Sequence, residues 1–228
     1  MKYKDELKKA FQVSIPVMMG YSVLGFAFGL LLVSFEYSWY LAPLMSLFIY
    51  AGALQFVAIS FFNVKAGMID IAIASWFINI RQSFYGLSLL KRFKDTGKFK
   101  TYLIFGLTDE TYALLTTIKD DESLNKRWYY FFLTALNQLY WFLGSTFGAI
   151  IGLNIKFNTA GLEFSLTALF VVLCIEQYKN LKNIVPFFIG IIASVFALIF
   201  IPSDKMLIVS IMIALILMFT FKNRVEHE

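Results

Sequence analysis

A run of polar side chains inside an apolar stretch is the feature of this sequence that most clearly suggests chemistry. The segment 75–90, SWFINIRQSFYGLSLL, carries Arg81 together with Asn79, Gln82 and Tyr85. It is long enough to cross much of a bilayer as a helix, where a guanidinium costs about 2.5–3.5 kcal/mol on insertion scales. Arg81 and Tyr85 share one helical face at i and i+4. This face is suited to a carboxylate, from a ligand or from another helix.

An adjacent pair of acids offers such a carboxylate within the chain. Asp109 and Glu110 follow Thr108 and precede Tyr112 in another apolar run. Neighbouring residues on a helix point about 100° apart, so only one of the two acids can face Arg81. A carboxyl group in apolar surroundings can also carry a proton. Thr108 is predicted to cap a half-helix. The alternatives are a permanent Arg81–Asp109 ion pair, or an Arg81 that snorkels to the membrane interface.

Polar residues in two further apolar runs extend this group. Gln55 follows the small-residue run YAGA at 50–53, which favours a broken helix whose free backbone groups line a cavity, with Tyr50 and Gly52 beside Gln55. The alternative is that Gln55 only joins two helices, at about 1 kcal/mol or less. Asn137 is a similar amide in a later run, suited to touching a ligand or joining helices.

The composition indicates that these residues lie in a protein embedded in a lipid bilayer. Hydrophobic residues make up 59% of the 228 positions, in repeated runs of about 20 residues, the length that a helix needs to cross a bilayer. The formal net charge of +5 comes from basic residues between these runs, where the positive-inside rule places them, so it indicates topology and not nucleic-acid binding. We expect an all-α protein that crosses the plasma membrane several times.

The sequence offers little for enzyme chemistry. The single histidine, His227, lies in the C-terminal tail, and the single cysteine, Cys174, lies inside an apolar run. This excludes a disulfide and a histidine-built metal site within one chain, and argues against a nucleophile with its base. No phosphate-binding loop of the P-loop type occurs. We therefore expect no enzymatic activity, cofactor or metal.

The apolar runs predict seven or eight helices, some of them broken or re-entrant. The first carries Pro16, Gly25 and Gly29. Small residues four apart let another helix approach closely, and a proline removes one backbone hydrogen bond, so this helix is expected to present a packing face or to bend. The predicted spans are 11–34, 39–63, 67–90, 99–118, 128–153, 162–178, 184–201 and 205–221.

A weak internal similarity suggests two repeat halves, 1–120 and 125–221, within one transmembrane domain. The segment LGFAFG at 24–29 resembles LGSTFG at 143–148, and transporter halves often descend from one another. Basic clusters before the first run and after the third both favour the cytoplasm, which three full crossings would forbid. A re-entrant YAGALQF run would remove the conflict and, if shared by both halves, would make the repeats inverted. The alternative is that every run crosses and one cluster breaks the rule.

Together these segments resemble the AzlC family, the large subunits of two-component efflux systems for branched-chain amino acids. The resemblance covers essentially the whole chain and rests on four segments in order: GFAFG at 25–29, YAGALQF at 50–56, NIR at 79–81 with Tyr85, and TDE at 108–110 with Tyr112. It implies export of leucine, isoleucine and valine, with methionine as a further candidate. It also implies a small membrane partner of the AzlD family.

The polar residues suit such a substrate. A zwitterionic amino acid offers a carboxylate to Arg81 and an ammonium group to carbonyls, to tyrosine or to Asp109. A channel, or an uptake permease for other small zwitterionic or neutral solutes, is the alternative, because polar groups also line pores. The candidate substrate-binding or coupling residues are Arg81, Asn79, Tyr85, Asp109, Glu110, Gln55, Tyr50, Gly52, Tyr112 and Asn137.

Overall fold

The part of the chain described by the structure, a computed structural model, consists entirely of helices and their connections. It comprises residues 3–63, 65–117, 124–154, 171, 175, 184–201 and 206–220. A 3₁₀ helix covers Lys94–Phe99. The α-helices of these ranges are α1 (Lys4–Ser34), α2 (Leu41–Phe48), α3 (Gly52–Asn63), α4 (Met68–Leu89), α5 (Lys100–Phe105), α6 (Asp109–Thr117), α7 (Lys126–Gly152), α8 (Val185–Phe200) and α9 (Met206–Thr220).

Two of the predicted helices are split. The run 39–63 is interrupted between α2 and α3, as the YAGALQF pattern predicts, and the run 99–118 is interrupted between α5 and α6. The predicted helix 162–178 lies almost wholly outside the described residues. Both breaks agree with the prediction that some helices are broken, since small residues interrupt the first run and Thr108 with the adjacent acids interrupts the second.

Of the described helices, α1 alone has both the length and the apolar composition needed to cross a membrane. Shorter apolar helices are α3, α8 and the Val209–Met218 part of α9. The 22-residue α4 and the 27-residue α7 are long enough but carry more polar side chains. Length and composition by themselves therefore identify fewer membrane-spanning helices among the described residues than the apolar runs of the sequence predict.

The chain divides into two compact units. The first unit contains Met1–Val57 and Asn79–Phe157, and the second contains Ala58–Ile78 and Asn158–Glu228. In the second unit, α8 and α9 pack against each other, and Ala193 and Ala197 are buried. All the polar candidates lie in the first unit.

Close packing of α1 against α7 forms the centre of the first unit. A Cβ atom on Gly29 would overlap the carbonyl oxygen of Ser145, and one on Gly148 would overlap the carbonyl oxygen of Phe26. Ser145 holds in LGSTFG the place that Phe26 holds in LGFAFG, so the contacts are reciprocal, as in a two-fold symmetric interface. The two similar segments therefore pack on each other, with close backbone approach at Gly29 and Gly148.

The helices α1 and α7 run in the same direction. The Glu6 carboxylate accepts a hydrogen bond from the Asn125 amide (3.1 Å), and the rings of Tyr3 and Trp128 stack at 4.6 Å. Both helices therefore begin at one end of the unit, which we call the N-terminal end. This corrects the inverted arrangement for the first helices of the two predicted halves, because inverted repeats would make them antiparallel.

A hairpin formed by α2 and α3 enters from the opposite end, where α1 finishes. The side chains of Ser46 and Gln55 meet at 3.5 Å across the interruption, whereas a continuous helix would separate them by about 14 Å along its axis. Beyond the turn, Phe56 packs on Phe28 of α1, with ring centroids 5.5 Å apart. The chain thus turns back at Tyr50, whose φ of 43° is unusual for a bulky residue.

A second hairpin, formed by α5 and α6, enters from the N-terminal end. Phe99, just before α5, packs on Trp128 near the start of α7 (5.0 Å between centroids). After the interruption at 106–108, α6 returns, since the Leu115 carbonyl accepts a hydrogen bond from Arg92. The tips of the two hairpins meet, with the Tyr50 and Phe105 rings 6.4 Å apart.

The two basic clusters lie at the same end of the first unit. Arg92 donates to the Tyr130 hydroxyl (2.9 Å) and the Arg127 guanidinium lies over the Phe99 ring (4.6 Å), which places the 91–100 link beside the start of α7. The lysines at the start of α1 are at this end too. The shared location is what the positive-inside rule requires of both clusters.

Candidate functional site

Arg81 and Asp109 form an ion pair at the start of α6. The Arg81 Nη2 and Asp109 Oδ2 atoms are 3.0 Å apart, and the side chains are 40% and 42% exposed. The other carboxylate oxygen accepts a hydrogen bond from Tyr85 (2.7 Å), and the Tyr85 ring stacks on Tyr112 at 4.3 Å. We call Arg81, Tyr85, Asp109 and Tyr112 the ion-pair cluster.

The local sequence explains this geometry. Arg81 and Tyr85 are one helical turn apart on α4, so both reach the same carboxylate. The Thr108 hydroxyl accepts a hydrogen bond from the Thr111 amide (3.2 Å), which confirms the predicted cap and sets the start of α6. The ion pair that the sequence left as an alternative is therefore present, and Arg81 does not snorkel away from Asp109.

Glu110 points to a different part of the unit, as the helical geometry predicts. Its Oε2 atom lies 2.6 Å from the Tyr21 hydroxyl on α1, which is also 2.7 Å from the Thr108 hydroxyl. Asn137 of α7 donates to the Thr111 hydroxyl (3.0 Å). We call this second group the hydroxyl cluster: Tyr21, Tyr50, Thr108, Glu110, Thr111 and Asn137.

Two buried atoms of the hydroxyl cluster lack a hydrogen-bond partner among the described residues. They are the Tyr50 hydroxyl oxygen and the Asn137 Oδ1 atom, on side chains that are 3% and 0% exposed. The Tyr50 hydroxyl lies near Tyr21 and Thr111 and in the field of Glu110, without a hydrogen bond of ordinary geometry. Unpaired buried polar atoms are uncommon, and each needs an explanation.

The side chain of Gln55 makes hydrogen bonds that join neighbouring helices. Its Oε1 atom accepts a hydrogen bond from the Trp141 indole (2.8 Å), and its amide nitrogen reaches Ser46. A Cβ atom on Gly52 would lie 3.0 Å from the Trp141 ring, which explains a glycine at that position. The structure therefore supports the joining alternative for Gln55 and places neither residue in the two clusters.

The remaining candidates belong to neither cluster. Among the described residues, no hydrogen bond joins half-buried Asn79 to either cluster. Pro16 lies within a continuous α1. A Cβ atom on Gly25 would lie 3.0 Å from the Ser145 amide nitrogen and the Trp141 carbonyl oxygen. Gly25 thus serves the α1–α7 contact together with Gly29.

Sequence reasoning missed Tyr21, and it left Gln138 undecided between joining helices and touching a substrate. Tyr21 joins α1 to the start of α6, and Gln138 joins both hairpins to α7. The Gln138 amide donates to the Leu47 carbonyl (3.3 Å) and its Oε1 atom accepts from Tyr102 (2.7 Å). The available signal for Tyr21 was a hydrogen-bonding side chain inside an apolar run.

The chemistry available at these clusters is recognition of charge and transfer of protons. Within the described ranges, no three His, Cys, Asp or Glu side chains are grouped so that they could hold a metal ion. In the ion-pair cluster, the Arg81 guanidinium is a cation that can exchange Asp109 for the carboxylate of a ligand. In the hydroxyl cluster, Glu110 is a carboxylate beside buried hydroxyl groups. Both lie at the start of α6, beside a break in a helix, a setting in which irregular backbone lines a polar cavity in membrane proteins.

The fold and these clusters define a helical membrane protein with interrupted helices. A family model described as AzlC protein matches residues 16–155. The chain belongs to the AzlC family.

Named relatives support this assignment. The chain is 37% identical over 201 residues to "Branched-chain amino acid transport protein AzlC" of Bacillus subtilis, covering 88% of this chain and 79% of that protein. It is 38% identical over 225 residues to an "Uncharacterized membrane protein" of Helicobacter pylori, covering 99% of both. It is 28% identical over 179 residues to the "Inner membrane protein YgaZ" of Escherichia coli, covering 75% of this chain and 73% of that protein. No solved structure matches the chain.

Proposed function

We propose that this protein is the large subunit of a secondary transporter that exports branched-chain amino acids across the plasma membrane. The observation that carries the proposal is the 37% identity to a Bacillus subtilis protein named for branched-chain amino acid transport. The meeting hairpin tips supply polar groups inside an apolar protein, where transporters of several folds bind substrate. Export and a small partner of the AzlD family are further parts of the proposal, which rest on the sequence resemblance.

In this proposal the N-terminal end faces the cytoplasm, because the two basic clusters lie there. The α5–α6 hairpin then enters from the cytoplasmic side and the α2–α3 hairpin from the outer side. Two hairpins that approach one site from opposite sides suit alternating access, in which each in turn closes one path.

Arg81 is proposed to bind the substrate carboxylate by exchanging it for Asp109. The pair is 40% and 42% exposed, so the exchange need not open a sealed core. A guanidinium binds a carboxylate through parallel hydrogen bonds, and a charge-assisted pair of this kind is stronger than a neutral one. The energy for export would come from the membrane potential or a proton gradient.

The test is leucine flux in vesicles. Protein in inside-out vesicles, with and without a coexpressed AzlD-like subunit, should accumulate labelled leucine, and unlabelled isoleucine or valine should compete. Preloaded leucine should accelerate uptake by counterflow, which a carrier gives and a channel does not. Absence of saturable flux in the presence of the small subunit would refute the proposal.

A further inference from the structure

The hydroxyl cluster contains acceptors that the described residues leave unused. The Tyr50 hydroxyl oxygen and Asn137 Oδ1 have no hydrogen-bond partner there, although both side chains are buried. Burying a polar atom without a partner destabilises a protein unless a ligand or water completes its bonding. Both side chains lie beside Thr111, since Asn137 bonds to its hydroxyl and Tyr50 is close to it.

The backbone at Tyr50 gives a second, independent indication. Its φ of 43° lies in the left-handed region, which bulky residues rarely adopt and which stores strain. The strained residue is the tip of the α2–α3 hairpin, and its ring meets Phe105 at the tip of the other hairpin. A strained backbone that carries an unpaired buried hydroxyl is typical of a ligand contact.

Glu110 supplies negative charge beside these acceptors. It makes no ion pair with a described residue, whereas its neighbour Asp109 is paired with Arg81. Its side chain is exposed, so a ligand can reach it, and one oxygen is fixed by Tyr21 at 2.6 Å. An accessible carboxylate held by a phenol and without a cation is suited to a cationic group.

We propose that Glu110, Tyr50 and Asn137 form a subsite for the primary ammonium group of an amino acid. An ammonium group has three donors and no acceptor. The subsite offers a carboxylate oxygen, a hydroxyl oxygen and an amide carbonyl oxygen. The inference rests on the proposed transport function and assigns the ammonium group to Glu110 in place of Asp109, which Arg81 and Tyr85 already occupy.

Ligands that differ in the ammonium group test the subsite. The full chain in lipid nanodiscs, with its small subunit, is assayed for binding of leucine and of isocaproate, which lacks the amine. Glu110→Gln should lower leucine affinity about tenfold to a hundredfold, as for loss of a charge-assisted hydrogen bond, and should leave isocaproate affinity nearly unchanged. Asp95→Asn, which neutralises an exposed acid in the 91–100 link, is the matched control and should change neither affinity.

Tyr50→Phe separates a ligand contact from a structural role. Removing an unpaired buried hydroxyl should preserve or raise the melting temperature, because no protein hydrogen bond is lost. Leucine affinity should fall about threefold to tenfold, as for loss of a neutral hydrogen bond. A lower melting temperature with unchanged leucine affinity would overturn the assignment of Tyr50.

Three other outcomes would overturn the subsite. An equal loss of leucine and isocaproate affinity in Glu110→Gln would show a structural role. Unchanged leucine affinity combined with flux that no longer responds to a pH gradient would make Glu110 a proton carrier. Leucine binding that requires sodium only when Glu110 is present would assign the group to an inorganic cation. Failure of the unmodified protein to bind or transport leucine would instead refute the transport proposal itself.

Discussion

At the scale of single residues, the question is how much the Arg81–Asp109 ion pair stabilises the fold. A half-exposed ion pair contributes little to stability, on the order of 0–1 kcal/mol, because water screens the charges and the side chains lose freedom. The fold therefore gains little stability from this pair. The proposed exchange of Asp109 for a substrate carboxylate is consistent with so small a structural contribution.

The double variant Arg81→Gln, Asp109→Asn tests whether the pair is only structural. We expect Arg81→Gln and the double variant to lose leucine flux at least about tenfold, since a substrate carboxylate needs the guanidinium itself. The melting temperature of the double variant should stay close to that of the unmodified protein. Flux in vesicles and melting in detergent provide the measurements.

Recovery of flux in the double variant would contradict this use of Arg81. Neutralising both partners of a merely structural pair removes the uncompensated charge that each single variant leaves behind. Such recovery would make the ion pair a packing contact and would leave the substrate carboxylate without its proposed partner.

At the scale of helices, the α1–α7 contact depends on backbone approach at glycines. Gly29→Val should lower stability by about 1–3 kcal/mol, and the apparent melting temperature by roughly 2–10 °C, because its side chain would overlap the Ser145 carbonyl. Gly20→Val on the same helix is the control, since a Cβ atom there meets no atom within 4 Å. The measurement is thermal unfolding in detergent.

Equal melting temperatures for the two glycine variants would contradict the close α1–α7 packing. A loss of flux in Gly29→Val at unchanged stability would instead favour the other interpretation of the first helix, in which it bends during transport. The paired readouts therefore distinguish the two interpretations that the sequence left open.

The positions of the helix breaks could be predicted from the sequence, whereas the direction of the chain after each break could not. YAGA before Gln55 predicts the interruption at the α2–α3 turn, and Thr108 predicts the start of α6. Whether the chain continues or turns back depends on contacts between distant segments, such as that between Phe56 and Phe28. Spacing along one helix cannot reveal these contacts. Tyr21 was missed for the same reason, because its partners, Thr108 and Glu110, lie at the start of α6.

At the scale of the whole molecule, the two hairpins explain the distribution of charge. A chain that crossed the membrane at the interrupted run 39–63 would separate the basic clusters and would break the contact of Ser46 with Gln55. In the first unit both clusters lie at the N-terminal end instead. The positive-inside rule is then obeyed by both, and no cluster needs to be an exception.

Cysteine accessibility tests this arrangement in intact cells. In a Cys174→Ser background, Lys94→Cys and Lys9→Cys should resist a membrane-impermeant maleimide until the cells are permeabilised, because both positions lie at the end assigned to the cytoplasm. Tyr40→Cys, in the link between α1 and α2, should react from outside without permeabilisation. The exposed side chain of each native residue makes the comparison one of sidedness and not of burial. Labelling of Lys94→Cys from outside would place the two basic clusters on opposite sides, and the α5–α6 hairpin could then no longer enter from the cytoplasm.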